Sequence, residues 1–174
     1  TLENAASWLD AGASEVIVTS WFFDRDGRFL EDRAEALAGE IGAEKVVIDL
    51  SCRQVGEGWK VAMNRWQTIT ELELDLETID QLSKYCGEFL IHAADVEGKC
   101  GGVDVPLVDL LGQWQGRAIT YAGGVRGLND LELIKETSGG RLDATVGSAL
   151  DLFGGTGVSY EELLKWNQGE LDCV

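Results

Sequence analysis

The chain has 174 residues, 45% of them apolar and 26% charged, with a formal net charge of −17. That length suits one domain with a sizeable core, and no apolar run approaches the length of a membrane span. So acidic a surface repels nucleic acid and anionic membranes, so neither is an expected partner, and an anionic ligand needs a site with its own local positive potential.

In chain order, Asn4 can cap a helix running to about Asp10, with Ala11-Gly12-Ala13 ending it. Glu15-Val-Ile-Val-Thr19 is a short β-branched run bounded by turn signals, which predicts a buried strand. From Phe29 to Glu40 the pattern is helical, with Leu30, Ala34, Leu37 and Ala38 on one face. Lys45-Val-Val-Ile-Asp49 is the next strand, and a long polar loop is expected from Ser51 to about Thr70. Asp75 to Tyr85 is a helix with Leu76, Ile79 and Leu82 inward, and Phe89-Leu-Ile-His92 is a third strand. Pro106 opens a helix at its first turn, where a missing N–H costs nothing. Ala118-Ile-Thr-Tyr121 is a strand, Asn129 to Glu136 a helix and Asp143-Ala-Thr-Val146 a further strand. Ser159 caps a final helix, Tyr160 to Trp166, so residues 1–167 form the folded unit and Gln168 to Val174 a frayed tail.

The resulting order is αβαβαβαβαβα, with each strand short and apolar on both faces. Such strands belong to a parallel sheet covered by helices and joined by right-handed crossovers. An open doubly wound sheet and a β/α barrel both fit, and in either one ligands bind at the C-terminal ends of the strands.

The unusual residues cluster at those ends. Ala122-Gly123-Gly124-Val125 follows one strand, and Gly147-Ser148-Ala149-Leu150, expected to begin a short helix before Phe153-Gly154-Gly155, follows the next. Gly pairs let backbone N–H groups approach an anion, and a Gly-Ser pair at a helix start suits phosphate. Each alone also reads as a plain turn, but consecutive loops of this kind form the phosphate site of many barrels, which favours the barrel. Backbone dipoles of this kind need no basic surface.

Asp49, ending an apolar Val-Val-Ile run, is either an acid or base at the strand-end mouth or a turn residue. Trp59 and Trp66 in the polar loop either stack on a planar ligand or cover core surface. His92 is more naturally a satisfied core histidine than a base, and Asp95 and Glu97 are site carboxylates or solvated loop charges. The cysteines, Cys52, Cys86, Cys100 and Cys173, show neither C-x-x-C nor zinc spacing with His92; they read as reduced thiols of a cytoplasmic protein, with no metal site expected.

Together, Val47-Ile-Asp-Leu-Ser-Cys-Arg53, Ile91-His-Ala-Ala-Asp-Val-Glu-Gly98, Tyr121-Ala-Gly-Gly124 and Gly147-Ser-Ala-Leu150 closely resemble a known family in wording and spacing. It is the histidine-biosynthesis isomerase of eukaryotic type, phosphoribosylformimino-5-aminoimidazole carboxamide ribotide isomerase, and the resemblance covers essentially the whole chain. It implies a (β/α)8 TIM-barrel fold in which the strands here are the fourth to eighth and the opening helix is the third. This chain is then a partial barrel: the first strand, with its catalytic base aspartate, and the Gly-rich loop after the third strand are expected outside it.

The resemblance further implies an Amadori rearrangement of a bis-phosphorylated ribotide, aminoaldose to aminoketose, with no cofactor because the work is proton transfer. Asp49 matches the general acid; Gly123, Gly124, Gly147 and Ser148 match one phosphate site, and Thr19 and Ser20 part of the other. Trp66 matches a tryptophan that covers the substrate, and Arg53, Asp95 and Glu97 are candidate substrate contacts. Many bacterial members carry a hydroxyl side chain where Ala93 stands, so no catalytic role passes to that position. The sibling cyclase, of imidazole glycerol phosphate synthase, shares the half-barrel pattern, but the wording and the Trp-bearing loop favour the isomerase. An independent nucleotide-binding sheet would need a G-x-G-x-x-G loop after an early strand, and none occurs. The whole enzyme is expected to be a monomer, whereas a partial barrel is expected to be inactive alone and to self-associate through its open edges.

Overall fold

Strands and helices alternate along most of the chain in the computed structural model, which describes residues 1–99 and 101–171. The helices are α1 (Leu2–Asp10), α2 (Glu31–Ile41), α3 (Leu76–Leu82), α4 (Val105–Gly112), α5 (Leu128–Ser138) and α6 (Tyr160–Asn167). The strands are β1 (Val16–Val18), β2 (Val46–Val55), β3 (Gly58–Met63), β4 (Thr68–Glu73), β5 (Glu88–Ala93), β6 (Ala118–Ala122) and β7 (Leu142–Ala144).

The caps explain most helix starts. Asp75 and Asp104 each accept an N–H three residues on, and Ser159 forms a capping box with Glu162. At α1 the cap is Thr1, whose hydroxyl accepts the N–H of Asn4, so Asn4 lies inside the first turn instead of before it. The expected tail begins with residues that close α6. Gly169, at φ 73°, and Glu170 return their N–H groups to the carbonyls of Trp166 and Lys165, at 3.0 and 2.8 Å. Residues 172–174 of that tail lie outside the described residues.

Strands β1, β2, β5, β6 and β7 run parallel. β5 takes one edge of β2; the other edge is shared, with β1 beside the start of β2 and β3 antiparallel beside its end. The polar loop expected from Ser51 to Thr70 is therefore a β-hairpin. β2 continues to Val55, and β3 and β4 follow. The flanking polar residues read as a loop, whereas an antiparallel ribbon leaving the covered sheet satisfies its backbone by pairing. Lys60 and Glu71 pair across it at 3.2 Å, and buried Thr70 donates its hydroxyl to the carbonyl of Val61.

One face of the parallel sheet makes the core. Ile48, Leu50 and Cys52 of β2, Phe89 and Ile91 of β5, and Ile119 and Tyr121 of β6 are buried in one cluster with residues of α1 to α5. Alternation puts Asp49, Ser51, Glu88, His92 and Thr120 on the opposite face, where they are only half-buried. A doubly wound sheet would carry helices on both faces. Helices on one face and polar strand residues on the other describe the wall of a β/α barrel. Among the described residues the sheet is open: β1 and β7 each pair on one side only. The fold is α/β, of the TIM-barrel type, in a partial-barrel form.

Candidate functional site

Because the strands are parallel, the C-terminal ends of all five lie along one rim. At the β1–β2 end of this rim a cavity of about 250 Å³ is lined by Thr19, Ser20, Asp49, Ser51, Arg65 and Trp66 among others. Thr19 and Ser20 leave β1 into a single helical turn, while Asp49 and Ser51 stand two residues apart on β2 and so share a face. The hairpin returns its tip over this point. Asn64, Arg65 and Trp66 at the tip all adopt left-handed backbone, with φ of 53°, 54° and 65°. For side-chain-bearing residues such backbone costs roughly 1–2 kcal/mol each and persists only where the surroundings enforce it. The geometry thus brings together Asp49, Thr19, Ser20 and Trp66. Ser51, Asn64 and Arg65 were not singled out from the sequence. No local pattern marked Arg65, which reaches the cavity only because the hairpin returns its tip there.

Behind Asp49 stands His92, with Nδ1 3.3 Å from Asp49 Oδ1 and side chains 28% and 12% exposed, respectively. The bond to Asp49 raises the imidazole above its ordinary range, against the opposing effect of burial. His92 is therefore partnered, but by the candidate acid and on the polar face, not by the core.

The two tryptophans divide their roles. Trp59 packs against the core and donates its indole N–H to Asp104 Oδ2 at 3.0 Å, tying the base of the hairpin to the start of α4. Trp66 lines the cavity. Arg53 and Asp95 engage each other at 3.0 Å, and Asp95 also accepts the N–H of Gln54 at 2.8 Å. Burial pushes the Asp95 carboxyl upward, but these donors outweigh it and hold it below the usual carboxylate range. The pair fastens the end of β2 to the loop after β5, where Lys99 reaches back to the Asp95 carbonyl and the Glu97 N–H bonds to the Ala93 carbonyl.

Further along the rim, Gly123 and Gly124 follow β6 with φ of 130° and 72°. Both are buried, and both are glycine by necessity: a Cβ would lie 2.9 Å from the Ala93 carbonyl oxygen at Gly123 and 2.1 Å from that of Gly102 at Gly124. The loop continues to Arg126, whose backbone N–H, Nε and Nη2 all bond Asp130, at 2.7, 2.8 and 2.6 Å. That guanidinium holds the Asp130 carboxyl below its usual range. Gly147 and Ser148 follow β7 and are exposed. The helical turn expected to start at Gly147 spans Asp151–Phe153 instead; Gly147 accepts the N–H of Leu150 in a tight turn. Beyond this turn, Gly155 and Gly157 bring the chain back close to the Ala149 and Arg126 backbone.

Among the described residues no group of three or more His, Cys, Asp or Glu is placed to hold a metal ion. Cys52 and Cys86 are free, and burial pushes both thiols up, Cys86 to about 12. Cys100 and Cys173 lie outside the described residues. No helix among the described residues is long and apolar enough to cross a membrane.

Comparison with known proteins agrees with this geometry. The profile of the family described as "Histidine biosynthesis protein" matches residues 1–156. The chain is 50% identical over 168 residues to the 1-(5-phosphoribosyl)-5-((5-phosphoribosylamino)methylideneamino) imidazole-4-carboxamide isomerase of Neurospora crassa. It is 49% identical over 170 residues to the protein of the same name from Saccharomyces cerevisiae. Each match covers 95% of this chain but 65% of the relative, so the chain spans just under two thirds of their length. A relative from Medicago truncatula, named as chloroplastic, is 41% identical over 165 residues, covering 95% of this chain and 52% of its own. With the family profile covering most of its length and its strand-end residues set on a barrel wall, the chain belongs to the histidine biosynthesis protein family.

Proposed function

We propose that this chain carries the acid half of an isomerase site, acting in an Amadori rearrangement of a bis-phosphorylated ribotide from aminoaldose to aminoketose. The observation that supports it is the single cavity that Asp49 shares with Thr19, Ser20 and Trp66. A carboxylic acid at that point protonates the furanose ring oxygen, and the ring C–O bond breaks as the amino nitrogen closes a C=N bond. A base then removes the C2 proton, which moves the double bond and yields the ketose. The base is expected on the part of the relatives that this chain does not match. Thr19 and Ser20, with Arg65 nearby, serve one phosphate, and Gly123, Gly124, Gly147 and Ser148 at the other end of the rim serve the second. Trp66 covers the ring, with Arg53, Asp95 and Glu97 at the margin. A cytoplasmic location goes with this reading, although one relative is named as chloroplastic.

The test supplies the upstream third of the relatives in trans and measures isomerisation. Asp49→Asn is expected to abolish turnover with little loss of ligand affinity, and retained turnover would remove Asp49 from the role of acid. The 65% span favours a second reading, in which this chain alone binds phosphates without chemistry. That reading requires measurable affinity for a bis-phosphorylated ligand with zero turnover; no binding at millimolar ligand would end it.

The unpaired edges of β1 and β7 are expected to drive self-association, with exposed Ile17 on β1 adding apolar surface. Light scattering across a concentration series checks this, and a monomer throughout would refute it.

A further inference from the structure

We propose that His92 is a positioning residue for Asp49: it holds one carboxyl oxygen from the neighbouring strand so that the other serves the cavity, and it stabilises the anion that Asp49 becomes on giving up its proton. The inference rests on the reading of Asp49 as the acid and extends it to a residue outside the set that lines the Asp49 cavity.

The geometry carries it. β2 and β5 are parallel neighbours, with Asp49 opposite Leu90 and Ser51 opposite His92, so the imidazole stands diagonally one pleat further along the same face as the carboxyl. The Nδ1 to Oδ1 distance is 3.3 Å, and both side chains are largely withdrawn from water. Water therefore competes weakly for the bond. On its other side His92 faces uncharged Ala122 of β6. The charged groups that bear on it are Asp49 and, more weakly, Glu97 in the loop after β5. Both are acidic, and both favour a protonated imidazole.

In the ring-opening step the Asp49 O–H bond breaks and an O–H bond forms on the ring oxygen. The electron pair of the broken O–H bond stays on the carboxylate, which then accepts a bond from His92 Nδ1–H. The carboxylate thus has a charge-stabilising donor on the neighbouring strand, apart from Arg65 on the cavity wall. With His92 replaced, this donor is lost and the anion is left to water, substrate and the other groups of the cavity.

The chain has a single histidine, so its ring resonances are unambiguous in an NMR titration of the intact protein. In the wild type the His92 midpoint is expected above the ordinary imidazole value. Asp49→Asn is expected to bring it down, because burial then acts with less opposition. A wild-type midpoint at or below the ordinary value overturns the pairing without any variant, and so does a midpoint that Asp49→Asn leaves in place. With the upstream segment supplied, His92→Gln is expected to lower kcat and displace the pH profile while KM holds. An unchanged kcat and profile would overturn the functional role. The two readings fail separately. Turnover kept by Asp49→Asn with a lowered His92 midpoint removes the acid role and leaves the pair; lost turnover with an unmoved midpoint removes the pair and leaves the acid.

Discussion

Substituting Gly124 with alanine tests whether the loop after β6 is held by backbone contact, as its geometry requires. Gly124 has φ 72°, where a Cβ costs roughly 1–2 kcal/mol. That Cβ would also sit 2.1 Å from the Gly102 carbonyl oxygen and 3.1 Å from Val96 Cβ, so the loop after β5 must move. Moving it disturbs the bond from the Gly102 N–H to the Gly124 carbonyl, 3.1 Å long and worth about 1 kcal/mol. The sum is roughly 2–3 kcal/mol of lost stability, toward the large end for a single substitution. Gly147→Ala is the internal control: it sits at the equivalent position after the next strand, needs no positive φ, and would meet nothing within 4 Å. Its stability is expected within about 0.5 kcal/mol of the wild type. Urea denaturation of both variants reads the difference as a shift in midpoint at constant slope. A Gly124→Ala midpoint that matches wild type would refute the close approach of the two loops.

Asp130→Asn removes the carboxylate that Arg126 grips with three donors. Asp130 is 4% exposed but Arg126 is 56% exposed, so solvent screening places the cost at about 1–3 kcal/mol and below that of a fully buried pair. The folded carboxyl titrates below its unfolded value, so its stabilisation is complete above about pH 4 and is lost as pH falls through the folded value. The gap between wild type and variant should therefore be full at pH 7 and close in acid; a gap independent of pH would refute the ionic origin. Trp59→Phe removes the indole donor to Asp104, whose other carboxyl oxygen accepts the Leu107 N–H, and is expected to cost about 1–2 kcal/mol. Amide exchange in β3 should quicken first, and exchange equal to wild type would show that the hairpin is anchored elsewhere.

Chain order, strand identity and the capping residues were legible in the sequence because they are local. Short β-branched runs such as Val46-Val-Ile48, Pro106 at a first turn and Ser159 before Glu162 act within a few residues of themselves. The strand-end residues were legible for a related reason: in any parallel sheet, whatever follows a strand lies at the same rim. The hairpin from Gly58 to Glu73 was not: its apolar alternation, Trp59, Val61 and Met63, is short, and what makes it a ribbon is pairing between β2, β3 and β4. Arg65 at the cavity followed from that hairpin and stayed hidden with it.

The parallel β/α order, with Asp49 and the candidate phosphate loops at the strand ends, was therefore legible in the sequence alone; that the helices cover one face, as in a barrel wall, was decided by the tertiary structure. Only the tertiary structure decided what each polar residue faces. Arg53 and Asp95 read as two separate ligand contacts until they were found bound to each other. Trp59 and Trp66 looked equivalent until β3 turned one to the core and the hairpin tip set the other at the cavity. His92, flanked by apolar residues and 43 positions from Asp49, became its partner only through the register of two parallel strands. A contact between residues far apart in sequence depends on how the strands are aligned, and no local pattern encodes that alignment.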